Sequence, residues 1–449
     1  MRLINGSFTK LFYGQAVSYV GDYVFDTGVV LWISTVLIPH GSYAPAAVSG
    51  VMIAVAVGVL TVSPVAGVFV DRWDKRRTML VADLLRAVLI GLLALVASLP
   101  AGSLPTGVVL ALVYAVVLLA TAAAQFFNAA RFAFVSGLVA EDERARATGI
   151  LQATGYTAAI VGPPLAAPLL FGLGASWTLV VNALSFAASF AMVRAVRPAV
   201  VESRPAAPPD GTAQASALTR FLAELWEGVQ VVTRNQVLRV LVGTLAVLTL
   251  GAATLNSLNV FFVPRNLHAD ASWFGTIGMG EGVGAVIGAL SGGWLCRRFR
   301  DVTVYGVGLA LVGAGLAVYA RAGTLWAAIL VIALIGLPLG AINTALSPIL
   351  LRATPQEYIG RVISTFGPVQ QLASMVSAVA TGWLMSTGWR DFQGTVAGMS
   401  VGPIDTLYSV GAVAIVASGL YAVIALRSSD APAVAPASAP GAVAGATAD

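Results

Sequence analysis

Charge is scarce in this chain. Of its 449 residues, 10% are Asp, Glu, Lys or Arg, where a soluble domain carries roughly 25%. Cysteine is scarcer still: Cys296 stands alone, which excludes an internal disulfide. The two histidines, His40 and His268, lie far apart in loop-like stretches, so no His and Cys cluster is available to hold a metal. No Gly-x-x-x-x-Gly-Lys-Ser/Thr occurs, which removes the phosphate cradle of an ATP-driven pump. No stretch of soluble composition is long enough for a catalytic domain, so an enzyme is not expected. A cleavable signal is not expected either: the apolar run after Lys10 is too long for one and lacks a small-residue cleavage site.

What fills the chain is hydrocarbon. Hydrophobic residues make up 58%, and the mean hydropathy is +0.87. Apolar runs long enough to cross a bilayer core of ~30 Å recur along the whole length. They predict an all-α membrane protein with twelve transmembrane helices, at about 11–38, 46–70, 79–99, 106–127, 147–173 and 177–196, then 238–263, 273–295, 302–320, 325–350, 359–387 and 405–426. Between the two sets, 197–214 is proline-rich and reads as a flexible linker. Leu218, Phe221, Leu222, Leu225, Trp226, Val229 and Val232 then recur at helical spacing, which predicts an amphipathic helix over 218–233 at the membrane surface. The expected layout is a six-helix bundle over 1–196, a cytoplasmic linker with that helix over 197–236, a second bundle over 237–427, and a disordered cytoplasmic tail over 428–449.

Positive charge sets the orientation. With both termini inside, all 25 Lys and Arg fall on the inner side except Arg265, Arg321 and Arg390. This predicts a multi-pass protein of the inner (plasma) membrane with cytoplasmic termini. The basic pI is thereby a matter of topology, and no nucleic-acid partner is expected.

The two sets echo each other. Gly67-Val68-Phe69-Val70-Asp71-Arg72, followed by Arg76-Arg77, comes after the second span, and Gly292-Gly293-Trp294-Leu295-Cys296-Arg297-Arg298 comes after the eighth. A charged turn with Glu143-Arg144 precedes the fifth span, and Glu357-Tyr358-Ile359-Gly360-Arg361 opens the eleventh. Matching elements at matching positions predict a duplicated six-helix unit with substrate bound between the halves near the midplane.

The stretch with Gly67, Asp71, Arg72, Arg76 and Arg77 resembles the motif joining helices two and three in the major facilitator superfamily. Ala158, Gly162, Pro163, Ala166 and Ala167 resemble the antiporter motif of its drug exporters, with alanine where glycine is usual. Asn128 to Arg131, Gly336-Leu337-Pro338 with Asn343-Thr344, and Gly360-Arg361-Val362 resemble the branch of macrolide and enterobactin exporters. The resemblance implies the major facilitator fold, two pseudo-symmetric six-helix bundles, in a monomer. It also implies that Asp71 meets the start of the eleventh helix, latching the inner gate in the outward-facing state. Physically, Gly67 permits close helix approach, and a carboxylate is favoured at a helix N-terminus. The basic residues serve equally as topological anchors. Gly162 and Pro163 either seal the halves or kink a packed helix.

Polar groups inside apolar runs are the candidates for function, because an ionised side chain facing lipid is costly. Gln15, Ser18, Tyr19, Asp22 and Asp26 share one face of the first span. Asp22, Asp26 and Glu281 are the candidates for proton coupling. Asp22 follows Gly21 and suits a structural hydrogen bond equally well. Asp83 and Arg86 are spaced as a structural ion pair, and Asp405 as an N-cap. Gln15, Tyr19, Tyr23, Gln152, Tyr156, Asn182, Asn256, Asn259, Asn343, Phe366 and Gln370 are candidates for an amphipathic cavity suited to bulky, largely apolar molecules. Each can bond a neighbouring helix instead. The reading is a proton-coupled efflux antiporter of drug-like or macrolide-like molecules. The alternatives are a siderophore exporter, lipid flippase or uptake carrier of the same fold, and, more remotely, a non-transporting membrane sensor. The expected partners are a small-molecule substrate, protons and membrane lipid. No cofactor and no metal are expected beyond the proton gradient.

Overall fold

Hydrocarbon offers no partner for a bare N–H or C=O, so each apolar run closes its own hydrogen bonds as a helix. The computed structural model describes residues 4–427 apart from 40, 101, 197–216, 355–357, 388–393 and 397–398, and apart from the side chains at 68, 71, 145, 217–225, 360, 363, 364, 394–396, 399 and 400–401. The expected linker and tail therefore lie outside the described residues. The first six helices are α1 (Gly6–Leu31), α2 (Ala44–Arg72), α3 (Lys75–Ala97), α4 (Thr106–Leu138), α5 (Arg144–Leu173) and α6 (Ala175–Ala195). The amphipathic helix is α7 (Ala217–Arg234). Six more follow: α8 (Gln236–Asn266), α9 (Phe274–Arg298), α10 (Asp301–Tyr319), α11 (Leu325–Ala353), α12 (Ile359–Ser386) and α13 (Pro403–Arg427). Among the described residues, 11 helices are long and apolar enough to cross a membrane. The remaining expected span, the eleventh, is α12, which is as long, but Pro368, Gln370 and Gln371 dilute its hydropathy.

The two halves repeat one packing scheme. In the first, α1 packs on α5 and α6, α3 on α4 and α6, and α2 on α4. In the second, α8 packs on α12 and α13, α10 on α11 and α13, and α9 on α11. The repeat reaches single side chains. Asn5 caps α1 by accepting from Phe8 N–H at 2.7 Å and donates to Leu138 O, at the end of α4, at 2.8 Å. Asn235 caps α8 by accepting from Val237 N–H at 2.9 Å and donates to Ala353 O, at the end of α11, at 2.9 Å. One residue type thus satisfies an orphan donor and an orphan acceptor at matching corners.

The halves join mainly through α2 with α12 and α5 with α9. These contacts lie away from the face where α1 begins and α13 ends, here called the basic face. A Cβ on Gly275 would collide with the carbonyl of Pro163, one on Gly282 would reach Ile160 Cγ1 at 2.7 Å, and one on Gly382 would reach Ser49 Oγ at 2.8 Å. Toward the basic face the halves part. Gly67 follows Ser49 by about five turns, and Gly149 precedes Ile160 by about three, on the same helix faces. A Cβ on either would meet nothing within 4 Å. The structure is closed at one face and open at the basic one. At the closed rim the Ser272 hydroxyl and the Ser272 N–H, the latter at 2.8 Å, both donate to Asp270 and hold its carboxyl below the usual carboxylate range.

Several elements depart from the sequence reading. α4 runs on past 127 to Leu138, because Arg131 finds partners inside the bundle. α1 ends in a π-helical turn, Trp32–Leu37. Between α12 and α13 a short antiparallel hairpin pairs β1 (Gly394–Val396) with β2 (Met399–Val401). Asp405 is no N-cap: it lies in the first turn of α13, accepts from Gly402 N–H at 2.9 Å, and receives Asn266 Nδ2 at 2.6 Å.

Candidate transport site

A cavity of about 730 Å³ lies between the halves, lined by α1, α2, α5, α8, α9 and α11. Its placement follows from small residues. On α9, Gly284 and Gly288 would drive a Cβ into the carbonyls of Ala333 and Leu337. On α11, Gly336 and Gly340 would do the same to Glu281 and Ala285. These four glycines let the two backbones touch. The other face of α9 (Gly275, Gly278, Glu281, Gly282, Ala285 and Ala289) is turned to the cavity.

Two carboxylates reach this space, one from each half. Asp26 on α1 is exposed to it, and Glu281 on α9 is half-buried beside it. Tyr23, Tyr156, Asn256, Asn259 and Asn343 also line it, as does Pro163. Gly162 is buried against α1, where a Cβ would meet Tyr23 Cβ at 2.5 Å and Val20 O at 3.2 Å. The walls are otherwise apolar: Val30, Met52, Leu255, Phe274, Val286 and Leu339. Ser257 Oγ, on α8, donates to Met52 Sδ, on α2, at 3.2 Å and ties the halves beside the cavity.

Other expected members stand elsewhere. Tyr19 and Gln152 line a smaller hollow of about 270 Å³ nearer the basic face, with Arg131 and Arg144. Gln15 is buried: it donates to Ser189 Oγ at 3.5 Å and accepts from Arg131 Nη1 at 3.2 Å. Asn182 is fully buried against Gly21, where a Cβ would lie 2.7 Å from its Oδ1. Phe366 belongs to the apolar core, and Gln370 on α12 is half-buried outside the cavity lining. Sharing a helical face with cavity residues did not bring these side chains to the cavity, because a neighbouring helix covers that part of the face.

Asp22 is also outside the lining. It faces Arg86, with Nη1 4.0 Å from its Oδ2. Arg86 Nη2 donates to Asp83 Oδ1 at 2.6 Å, the pair that the spacing predicts, and Ser189 Oγ donates to Asp83 Oδ2 at 2.7 Å. In the second half Tyr319 was not anticipated. Its hydroxyl donates to Asn259 Oδ1 at 2.6 Å and fixes that cavity amide. A lone aromatic in an apolar run gave no signal of this.

At the basic face, Arg72 is exposed and has no ion pair among the described residues. The side chain of Asp71 lies outside the described residues. Arg76 donates to the carbonyls of Val193, at 3.3 Å, and Arg194, so it caps the end of α6 within its own half. Arg77 is exposed, and its N–H is held by Asp74 Oδ1 at 2.7 Å, the N-cap of α3. Glu227 on α7 pairs with Arg361 on α12 at 2.9 Å, which docks α7 beside the basic-face end of α12.

Comparison with known proteins agrees with this architecture. The family model of the Major Facilitator Superfamily matches residues 11–265. The chain is 26% identical over 335 residues to the multidrug efflux pump Tap of Mycolicibacterium fortuitum, covering 72% of this chain and 77% of that protein. It is 21% identical over 381 residues to the uncharacterized MFS-type transporter YkuC of Bacillus subtilis (strain 168), covering 83% and 84%. Among solved structures, a bacterial homologue of the iron transporter ferroportin in an inward-facing state superimposes with a TM-score of 0.68 at 15% identity, covering 94% of this chain and 98% of that one. The nucleoside transporter NupG superimposes with a TM-score of 0.70 at 11% identity, covering 94% and 100%. At such identities the structures establish the fold. With the family match, they establish that the chain belongs to the Major Facilitator Superfamily and is a membrane transporter, not an enzyme.

Proposed function

We propose that the chain is a proton-coupled efflux antiporter that exports bulky, largely apolar molecules across the plasma membrane, with both termini in the cytoplasm. The observation that carries this reading is the pairing of Asp26 and Glu281, one from each half, on a single mostly apolar cavity open toward the basic face. The basic face is the cytoplasmic one by the distribution of Lys and Arg. The substrate enters there from the cytoplasm or inner leaflet, and apolar walls with a few amides hold it. The halves then rock about the site and expose it to the other side. A proton taken up by a cavity carboxylate outside and released inside returns the carrier. The membrane potential contributes about 2.3 kcal/mol per charge per 100 mV. The likeness to Tap supports a drug-like substrate.

The test uses the purified full chain in liposomes with ethidium as probe and an imposed pH gradient. Uphill ethidium movement that stops when the gradient is collapsed supports the reading. Ethidium movement in Asp26→Asn and Glu281→Gln with full rate and normal pH dependence rejects the coupling role of these residues. Movement indifferent to the gradient in the unaltered protein rejects proton coupling itself.

A further inference from the structure

The two carboxylates of α1 are not equivalent. Asp26 faces the cavity. Asp22, about one turn earlier, is 36% exposed and turns toward α3, where Arg86 Nη1 lies 4.0 Å from its Oδ2. Arg86 is 6% exposed. It is clasped between the rings of Phe127, 4.8 Å from the guanidinium carbon, and Phe186, 4.1 Å away. It is also bonded to Asp83 at 2.6 Å. Two carboxylates therefore share one buried cation. Were both ionised, Asp22 and Asp83 would compete for a single guanidinium, with Asp83 buried and Asp22 reaching the cleft.

The guanidinium is not saturated by Asp83. Arg86 Nε is buried and has no hydrogen-bond partner among the described residues, and Asn182 Nδ2, beside Gly21, is in the same condition. Buried donors of this kind are costly unless some arrangement of the site uses them. The remaining titratable groups that interact with Asp22 are Tyr23 and Asp26, both on α1. From α6 come only Asn182, Ser185 and Ser189, and on α4 Arg131 is engaged with Gln15. Arg86 is thus the cation nearest to Asp22.

We propose that Arg86 is a positioning residue for Asp22, a counter-ion shared with Asp83. When Asp22 releases its proton to solvent in the cleft, the guanidinium closes on it; when Asp22 takes a proton up, the guanidinium returns to Asp83. One proton moves, and no bond to carbon is made or broken. This makes the α1–α3–α6 junction a proton-responsive element separate from the cavity surface. It rests on the proton-coupled reading above.

The test is an infrared titration of the full chain in liposomes, following the carboxylic-acid C=O band that disappears in Asp22→Asn. Arg86→Gln is expected to move its midpoint up by about one pH unit or more, the size set by an adjacent guanidinium. Asp83→Asn is expected to move it down, because Arg86 is then left to Asp22 alone. Arg86→Lys falls between the unaltered protein and Arg86→Gln. Opposite shifts show that Asp22 and Asp83 both answer to the one Arg86 charge. Unmoved midpoints, shifts of one sign, or an Asp22 band that never responds to pH overturn the proposal. Should Arg86→Gln fail to fold, Asp83→Asn and Arg86→Lys still decide it. Ethidium movement driven by a pH gradient is measured on the same samples. Titrations as expected with no gradient-driven ethidium movement defeat the coupling reading and leave the Arg86 assignment standing. Gradient-driven movement with unmoved midpoints defeats the Arg86 assignment alone.

Discussion

In the first half, α1, α3, α4 and α6 meet around charge: Asp22, Asp83 and Arg86, bonded on through Ser189 and Gln15 to Arg131. In the second half the corresponding helices, α8, α10, α11 and α13, meet around phenols. Tyr305 OH is 2.9 Å from Thr244 Oγ1, Tyr319 OH donates to Asn259 at 2.6 Å, and Tyr408 OH donates to Leu255 O at 3.3 Å. Phe262 packs in tilted contact with Tyr319 and Tyr408, its ring centroid 5.0 and 5.4 Å from theirs. The same helix plan is thus filled by two chemistries. A buried charged cluster responds to protonation and contributes little net stability. A tyrosine cluster held by neutral hydrogen bonds adds about 1 kcal/mol per hydrogen bond. The second half also carries the close α9–α11 glycine contact. On the proposed reading the first half would answer to protons, while the second supplies a closely packed wall with one carboxylate, Glu281, set into it.

Substitutions sharpen or break that contrast. The largest effect belongs to Gly288→Ala, which drives a methyl group into the Leu337 carbonyl. It should cost about 3 kcal/mol or prevent folding. Gly58→Ala on the α2–α4 pair meets Thr121 Cγ2 at 3.0 Å and Leu118 O at 3.2 Å, and should cost clearly less. Melting followed by gel filtration measures both, and equal losses would deny that the second half is the tighter one. Next, Asp26→Asn and Glu281→Gln should each slow gradient-driven ethidium movement about tenfold or more, equivalent to about 1.4 kcal/mol in the barrier. A loss confined to one of them assigns the coupling to that half. Smaller and equal effects are expected from Asn5→Ala and Asn235→Ala, about 1 kcal/mol of stability each, since the two corners are built alike. The smallest is Glu227→Gln, which removes a half-exposed ion pair and should change stability by about 0–1 kcal/mol.

Much of this was legible in the sequence. Hydrocarbon forces long apolar runs into helices, so the spans follow from hydropathy, and the duplicated layout from the matching charged turns after the second and eighth spans and before the fifth and eleventh. Asp26 and Glu281 were legible for the same reason, since a charge in an apolar run needs a cavity or a partner. Which of the two it finds was not. Asp22 and Gln15 share a helical face with Asp26 yet point into α3, α4 and α6, because α1 is covered along its length by different neighbours. Asn182 reads like Asn256 in the sequence, but packs on Gly21 and not on the cavity. The paired roles of Asn5 and Asn235 depend on where α4 and α11 end, which hydropathy does not fix to the residue.

The account turns on the protonation state of the cavity carboxylates deciding which face is open. The direct measurement is a pair of spin-label distances across the α2–α12 seam in a Cys296→Ala background. One pair, Gly67→Cys with Gly367→Cys, sits on the open side, where a Cβ on either glycine meets nothing within 4 Å. The other, Tyr43→Cys with Thr387→Cys, sits at exposed positions on the closed rim. On titration from neutral to acid pH the two distances should change in opposite directions, and Asp26→Asn combined with Glu281→Gln should abolish the change. Distances that ignore pH, or that lengthen together, would contradict it.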